Sequence, residues 1–452
     1  MRLRLRGGTN VRLAGRPAGG IDVAGDAASL YLPLASRRLR FSDLRIRDGQ
    51  AVRPGEVLAV DPSHFGVPLL APRGGAVRVG AVEGHVLIEN AARAEAVQAP
   101  EGEKRERLVR LGAWPFIEDA HTGGVPDPAS EPRAVVVSTL RLEPFGARGD
   151  ALLAGRLEVL ERGLEHLQSL LEYQPTYLVV PEAESALAEE IHETLRGHAW
   201  LEVVTVPLTY PFDHPALLAR RLGLMAGAGG PVWALRVEGV LAVERALGAG
   251  LPVTERVVAL GGPAIASPRH VEAPVGYPLE AFLADVTGGS EAARVVNGGA
   301  LTGQTVPASQ RGLDAECAGL TVLAEPRERE LLGFTRPGWS RQSYSRCFVS
   351  ALRRSFDEPI EASLRGEKRA CVACGACETV CPANLFPHLI HKALYRQDLD
   401  EAERLRVDLC LGCGLCAYVC PSKLELHREF VEAQEALRAE HAAAAEAREA
   451  PA

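Results

Sequence analysis

Eight of the ten cysteines in this 452-residue chain fall into two matching runs near its carboxyl end. The first run reads CVACGACETVCP over Cys371–Pro382, and the second reads CLGCGLCAYVCP over Cys410–Pro421. Both have the spacing C-x2-C-x2-C-x3-C-P, with which bacterial ferredoxins hold two [4Fe–4S] clusters. In that arrangement three thiolates bind three irons of one cube, and the cysteine before proline completes the other cube.

The spacing therefore predicts two crossed ligand sets that use all eight cysteines. The sets are Cys371, Cys374, Cys377 and Cys420 for one cluster, and Cys410, Cys413, Cys416 and Cys381 for the other. Two zinc sites are the alternative, because C-x2-C pairs also bind zinc, but zinc takes four ligands and has no use for the extra Cys-Pro of each run. A disulfide framework is disfavoured because thiols this dense in a long chain fit a reducing compartment.

Composition narrows the class of protein around these motifs. Hydrophobic residues make up 47% of the chain and charged residues 24%, which is typical of a globular protein. The net charge of −8 predicts no nucleic-acid partner. The sequence has neither an apolar segment of signal-peptide type nor a run of about 18 apolar residues that would span a bilayer. We therefore expect a cytoplasmic protein that associates with a membrane only through partner subunits.

Alternating strands and helices between residues 134 and 249 predict a parallel sheet covered by helices on both faces. The apolar strands are Ala134–Thr139, Thr176–Val180, Glu202–Val206 and Val232–Arg236. No G-x-G-x-x-G sequence follows the first strand, so a dinucleotide site of the Rossmann type is not predicted.

The amino-terminal segments Ile46–Val60 and Ala71–Val77 resemble the hairpin and strand of a biotinyl/lipoyl-type barrel. The tip between them, Asp61–Val67, has no lysine, so lipoyl chemistry is not expected. The predicted fold class is multidomain α/β with a helical ferredoxin-like module at the carboxyl end. The predicted parts are a lipoyl-like β barrel (1–98), a linker (99–132), an α/β Rossmann-like domain (133–250), a β-grasp, SLBB-like domain (251–310), a connecting region (311–366), a ferredoxin-type module for two [4Fe–4S] clusters (367–430) and a helical tail (431–452).

Five other residues have thiol or imidazole side chains that could bind a ligand or take part in a reaction. Cys317 and Cys347 are interpreted as reduced structural thiols. His214, just before Pro215, either lines a ligand cleft at a strand end or begins a helix. His388 and His391 are interpreted as surface residues near a cluster. No catalytic triad, carboxylate pair or phosphate loop is present, so no catalytic residue is predicted.

The order of these parts resembles two related families. One is the NqrA family, which supplies the A subunit of the Na⁺-translocating NADH:quinone reductase. The segments similar to it are GGTNVRLAGRPAGGI, FGVPLLAPRGGAV, DHPALLARRLGL, TERVVALGGPAIASPR and RELLGFTRPG. The two intact cysteine runs resemble instead the C subunit of the Rnf-type ion-translocating complex. That protein has a flavin and nicotinamide signature, G-G-x-G-F-P-T, which is missing from the corresponding segment Leu111–Pro126.

The resemblance implies a peripheral electron-transfer subunit on the inner face of the cell membrane. Its partners would be the membrane and peripheral subunits of an Nqr/Rnf-type complex, and two [4Fe–4S] clusters would pass single electrons. It further implies association with a quinone, whereas FMN and NADH are not expected on this chain. One alternative is an electron-entry subunit like the C subunit of the Rnf-type complex, which oxidises NADH at a flavin. Alternatives of other classes are an iron–sulfur linker subunit of a soluble dehydrogenase, or amino-terminal domains that act only as a scaffold.

Overall fold

The computed structural model forms a mixed α/β protein with several sheets and a helical carboxyl-terminal region. It describes residues 1–97, 101–171, 174–182, 186–195, 197–227, 229–287, 293–325, 362 and 368–449. Among these residues no helix is both long enough and apolar enough to cross a bilayer. The predicted domain boundaries remain predictions, and several strands and helices lie on the other side of them.

The first eight strands supply two small antiparallel sheets and one strand of a later sheet. Their bounds are β1 Ile21–Val23, β2 Ser29–Pro33, β3 Asp43–Leu44, β4 Ala51–Val52, β5 Val57–Asp61, β6 Val67–Leu70, β7 Gly74–Val79 and β8 His85–Ala92. The sheet orders are β2-β8-β7-β4 and β3-β5-β6. The two sheets pack through apolar residues that alternate along the strands, such as Leu30, Leu32, Val86 and Ile88. This part contains the segments compared above to a lipoyl-type barrel.

The middle of the chain forms a five-stranded sheet with helices. Its elements are α1 Lys104–Arg110, β9 Glu118–Asp119, β10 Ala134–Ser138, α2 Gly149–Leu153, α3 Leu157–Gln168, β11 Thr176–Pro181, α4 Ala186–Thr194, β12 Leu201–Val206, α5 Pro215–Arg221, β13 Val232–Arg236 and α6 Val237–Leu247. The order is β12-β11-β10-β13-β9, with the first four strands parallel and β9 antiparallel to β13. All five residues of β10 are buried, which explains why its sequence is a continuous apolar run.

The segment predicted as a linker, 99–132, contains a helix and a strand in its described part, and its bounds as a separate segment stay a prediction. Helix α1 and strand β9 lie within it, and β9 pairs with β13 at Asp119 and Trp233. Trp114 is fully buried, and its ring meets that of Trp233 edge to face at 5.3 Å. The physical reason is the apolar stretch LGAWPFI, whose burial is favourable enough to order the polar residues around it.

A third sheet follows, with order β1-β15-β14-β18-β16-β17. Its further elements are β14 Glu255–Gly261, β15 Arg269–Pro274, α7 Leu279–Phe282, β16 Ala293–Asn297, β17 Gln304–Thr305 and β18 Gly319–Ala324. Two of the six strands, β1 and β18, lie outside the predicted unit 251–310. Strand β18 is central, because it pairs with both β14 and β16. Pattern alone missed it since it comes after a long irregular stretch.

The carboxyl-terminal module consists of short helices and one long one: α8 Ala376–Val380, α9 Pro387–Tyr395, α10 Leu399–Arg404, α11 Leu415–Tyr418 and α12 Leu426–Glu449. Helices α9 and α10 lie between the two cysteine runs. Helix α12 includes most of the predicted tail. It is packed at its start, because Phe430, Ala433 and Leu437 are buried in the core of the module.

The first fifteen residues cross three of these parts. The amide of Leu3 donates to the carbonyl oxygen of Thr205 in β12 at 3.1 Å, and the amide of Gly8 donates to that of Val380 in α8 at 2.9 Å. Farther on, the amide of Gly262 donates to the carbonyl of Gly15 at 2.8 Å. The amino-terminal segment therefore fastens the module to the α/β sheet and to the third sheet.

Candidate iron–sulfur site

Both cysteine runs use the same local backbone. A glycine in the left-handed region, Gly375 with φ 73° or Gly414 with φ 75°, lies just before a short helix, α8 or α11. Glycine adopts this conformation without the strain that a Cβ would cause. The turn places the third cysteine, Cys377 or Cys416, in the first turn of the helix.

The first thiol group lines one small cavity. Cys371, Cys374 and Cys377 from the first run share it with Cys420 from the end of the second run. Cys374 is exposed, Cys377 is buried, and the other two are partly exposed. Burial raises the pKa of the Cys377 thiol to about 11, and the charges of Cys374 and Cys420 add to the increase.

The second thiol group consists of Cys410, Cys413, Cys416 and Cys381. Burial raises the pKa of Cys410 to about 11 and that of Cys413 to about 12, and in both cases the nearby charge of Cys381 contributes to the increase. The pKa of Cys416 also lies well above its usual value, for the same reasons. Like charges in one enclosed place disfavour ionisation, so only a strong cation makes four thiolates stable together.

Backbone amides also point at the sulfur atoms. Amides of Ala373, Gly412 and Leu385 each donate to a thiol at 3.4 Å, the acceptors being Sγ of Cys371, Cys410 and Cys381 respectively. Sulfur ligands in groups of four with N–H···S bonds suit iron–sulfur clusters, whose potentials such bonds tune. The residues present therefore fit two clusters of this kind.

The second thiol group is enclosed by other parts of the chain. The hydroxyl of Tyr210 donates to the carbonyl oxygen of Cys413 at 2.7 Å, and Arg220 donates to that of Leu409 at 2.7 Å. A Cβ added to Gly7 would lie 2.6 Å from the carbonyl oxygen of Cys381, so the amino-terminal segment touches the group directly. Sequence reasoning did not find these contacts, because no local pattern marks Tyr210 or Arg220 as neighbours of residues some 200 positions away.

A cavity of about 1030 Å³ lies where the amino-terminal strands, the α/β domain, the third sheet and the cysteine module meet. We call it the central cavity. Its wall includes Cys410 and His427 of the module, Arg141 and Arg236 of the α/β domain and Phe41 of the amino-terminal strands. One cysteine of the second thiol group, Cys410, therefore lines the central cavity.

The structure places each predicted histidine. His214 begins α5, where its Nδ1 accepts from the amide of Ala216 at 3.3 Å, and it also lines the central cavity. The helix-start interpretation is confirmed, and the ligand-cleft interpretation stays a prediction. Burial lowers the pKa of His214 to about 4. The surface interpretation is wrong for His391, which is buried and pairs with Glu429 at 2.6 Å.

His388 is partly buried, and it lines the same small cavity as the first thiol group. The sequence analysis also predicted that His388 lies near a cluster, but it did not predict that α9 directs this side chain inward. Cys317 is buried, and its thiol donates to the carbonyl of Gly319 at 3.5 Å, as suits a structural thiol. Burial raises the pKa of Cys317, which keeps the thiol protonated. Cys347 lies outside the described residues.

Fold and thiol arrangement define a class: a multidomain α/β protein with a ferredoxin-type cysteine module. The model of the 4Fe-4S dicluster domain matches residues 363–421. Two models built on one family also match, the NqrA second alpha/beta domain over 100–250 and the NQRA C-terminal domain over 257–308. Over these two ranges the chain is similar to the NqrA family, in agreement with the resemblance seen in its sequence.

Relatives agree over nearly the whole chain. The A subunit of the Na(+)-translocating NADH-quinone reductase of Pseudomonas aeruginosa is 27% identical over 422 residues, which are 89% of this chain and 91% of that protein. Its counterpart in Neisseria meningitidis serogroup B is 27% identical over 426 residues, with the same shares. That of Actinobacillus pleuropneumoniae serotype 3 is 26% identical over 425 residues, again 89% and 91%.

Among solved structures, an NAD+-reducing [NiFe]-hydrogenase matches in its air-oxidized and H2-reduced states. The TM-scores are 0.37 and 0.38 at 17% and 16% identity, over 49% of this chain and 47% and 48% of those chains. A likeness this low carries no argument about this protein.

Proposed function

We propose that this chain is the electron-transfer subunit of an Nqr-type, ion-translocating NADH:quinone oxidoreductase. Its two [4Fe–4S] clusters would relay single electrons between the membrane part of the complex and a partner subunit. The observation that carries the proposal is the division of eight thiols into two groups of four, each drawing three members from one run and one from the other. Such groups satisfy two cubes, whereas a zinc site would use only one pair from each run.

The proposed ligands follow from these groups. Cys371, Cys374, Cys377 and Cys420 would hold the first cluster, and Cys410, Cys413, Cys416 and Cys381 the second. When bound, each cluster accepts or donates one electron. The role of this chain's residues is to hold the sulfur atoms, direct N–H groups at them and limit the access of water. No bond-breaking step is assigned to any residue.

Location and partners complete the proposal. The relatives are subunits of a Na(+)-translocating NADH-quinone reductase. By analogy, we place this chain on the cytoplasmic face of the cell membrane, in contact with membrane and peripheral subunits of such a complex. The net charge of −8 supports the expectation that nucleic acid is not a partner.

A quinone is the proposed acceptor or donor at the second thiol group. The name of the relatives includes a quinone, and the wall of the central cavity includes Cys410 together with apolar side chains such as Phe41 and Phe116. A ring in this cavity would therefore lie close to a cluster ligand. The test is photolabelling of the cluster-loaded chain with an azido-quinone, followed by peptide mapping. Labels only on residues remote from the cavity would contradict this part of the proposal.

FMN and NADH are proposed not to bind this chain. The segment Leu111–Pro126, which lacks the glycine-rich flavin signature, has Trp114 and Ile117 fully buried in the protein core. Its side chains thus occupy space that a flavin ring would need if it lay against this backbone. Hydride transfer from NADH moves two electrons and a cluster accepts one, so a flavin must stand between them.

The experiment uses the purified chain, loaded with clusters under anaerobic conditions. We expect about eight irons per chain with matching sulfide, reduction by dithionite and no rapid reduction by NADH. Stoichiometric zinc without iron would contradict the relay. Rapid bleaching by NADH, or a tightly bound flavin in the purified protein, would favour the alternative of an NADH-oxidising entry subunit like that of the Rnf-type complex. Purification from membranes without other Nqr subunits would favour the linker subunit of a soluble dehydrogenase.

A further inference from the structure

The α/β sheet has a topological switch point. Starting from β10, strands β11 and β12 are added one after the other toward one edge of the sheet. The chain then crosses back, and β13 pairs with the opposite side of β10. In open α/β sheets, ligands bind in the crevice outside the carboxyl ends of the strands at such a point. Here the crevice is between the ends of β10 and β13, where Ser138 lies opposite Arg236.

Two arginines line the central cavity at this crevice. Arg141 follows β10 by three residues, and Arg236 is the last residue of β13. Arg236 is paired, because its guanidinium lies 2.9 Å from a carboxylate oxygen of Asp213. Arg141 makes no hydrogen bond or ion pair within the described residues. Its stem is held in place against Gly146, where a Cβ would come within 2.6 Å of the Arg141 Cδ.

The acidic residues near Arg141 are already engaged. Asp213 pairs with Arg236, and Glu238 pairs with Arg256 at 3.2 Å. Glu143 accepts from the amide and the hydroxyl of Thr302 at 2.7 and 2.9 Å. Burial and the positive charge of Arg236 lower the pKa of Arg141, and the charges of Glu238, Glu143 and Asp213 offset only part of this effect.

We propose that Arg141 receives an oxyanion, a carboxylate or phosphate type of group, on a small ring-bearing ligand in the central cavity. A guanidinium binds such groups with two parallel hydrogen bonds. The ring would contact apolar atoms of the wall, such as those of the partly buried Phe116. The cavity, at about 1030 Å³, stands at the upper end of the range for small-molecule sites, so an acidic ligand fits beside the proposed quinone.

This inference concerns the cavity and not the clusters, so it is tested separately from the electron relay. The probe is 8-anilinonaphthalene-1-sulfonate, which joins an aromatic body to an oxyanion. Its neutral counterpart is N-phenyl-1-naphthylamine, which lacks the sulfonate. Fluorescence titration of the full chain with each probe measures the dissociation constants, and inorganic phosphate serves as a competitor.

Three variants separate charge from fold. Arg141→Gln removes the charge, Arg141→Lys keeps it, and Arg162→Gln removes an arginine of the same domain that is half exposed and does not line the cavity. We expect Arg141→Gln to raise the dissociation constant of the sulfonate probe about tenfold, in line with the loss of a charge-assisted hydrogen bond. The neutral probe should bind equally to all four proteins, and the other two variants should resemble the wild type.

Equal binding of the sulfonate probe to the wild type and Arg141→Gln would overturn the proposal. So would equal loss of both probes in Arg141→Gln, if circular dichroism shows the variant folded. If Arg141→Gln does not fold, the proposal is tested by phosphate competition against each probe in the wild type and in Arg141→Lys. Displacement of the sulfonate probe, but not of the neutral probe, by phosphate then supports the oxyanion site, and displacement of neither overturns it.

Discussion

The two thiol groups have almost the same sequence and very different surroundings. In the first group Cys374 is exposed, and Val372 beside it is 66% exposed. The second group is covered by the amino-terminal segment at Gly7 and by Tyr210 and Arg220 of the α/β domain. Since burial, charge and hydrogen bonds set the potential of a cluster, matching motifs here predict unequal potentials.

The same difference indicates a division of roles. A cluster held near the surface would exchange electrons with another protein, and a cluster held near the central cavity would exchange them with a bound small molecule. Under the proposed function, the second group would therefore face a quinone and the first a partner subunit.

Removal of one ligand tests whether the sets are crossed. In Cys420→Ala we expect iron to fall from about eight to about four per chain, because one cube loses its fourth ligand. The remaining paramagnetic resonance signal should equal that of Cys371→Ala. Likewise Cys381→Ala should match Cys410→Ala. If Cys420→Ala instead resembles Cys410→Ala, each run holds its own cluster and the crossed sets are wrong.

Equivalent glycines provide a matched pair. Gly375 and Gly414 both have positive φ, but a Cβ on Gly375 meets nothing within 4 Å, whereas one on Gly414 lies 2.8 Å from the carbonyl oxygen of Leu301. Gly375→Ala should cost about 1–2 kcal/mol from the left-handed backbone alone. Gly414→Ala should cost roughly 1–3 kcal/mol more, because the neighbouring backbone must move. Urea unfolding of both variants measures the difference, and equal losses would mean that the third sheet does not press on the second group.

Acid should destabilise the surroundings of the second group through His214. Its folded pKa of about 4 lies below the ordinary value near 6.5, so the folded state binds fewer protons between these two values. Stability is therefore complete above pH 6.5 and falls as the pH drops toward 4, by up to about 1.4 kcal/mol per pH unit.

The check is urea unfolding at pH 7 and pH 5. His214→Asn keeps a side chain that caps α5 and should lose part of the acid dependence. His214→Ala also removes the cap, so it should lower stability at both pH values. An unchanged pH slope in His214→Asn would show that this histidine is not the group responsible.

A smaller effect is expected from Arg220. The positive charge of Arg220 and the negative charge of the Cys410 thiolate attract each other, and burial lowers the pKa of Arg220. Arg220→Gln should make the potential of the second cluster more negative by an amount on the order of 1 kcal/mol, or roughly 40 mV. Redox titration followed by paramagnetic resonance measures both clusters. Arg221→Gln is the control, and an equal shift of both clusters would argue against a local effect.

Much of the fold was accessible from the sequence. The four parallel strands between residues 134 and 236 lie within one residue of their predicted ends, because a strand buried on both faces reads as a continuous apolar run. Strand β9 was missed since two residues give no period, and β1 and β18 were assigned to no sheet because their partners are far away in the chain.

The candidate site also has features that could be predicted from the sequence and features that could not. By itself the sequence predicted the chemistry, because ligand type and spacing at Cys371–Pro382 and Cys410–Pro421 depend only on short-range geometry. Only the tertiary structure decided which thiols face outward, that His391 is buried, and that Arg141 and Arg236 meet at the cavity. These facts depend on contacts between residues far apart in the chain, and no local pattern of residues encodes such contacts.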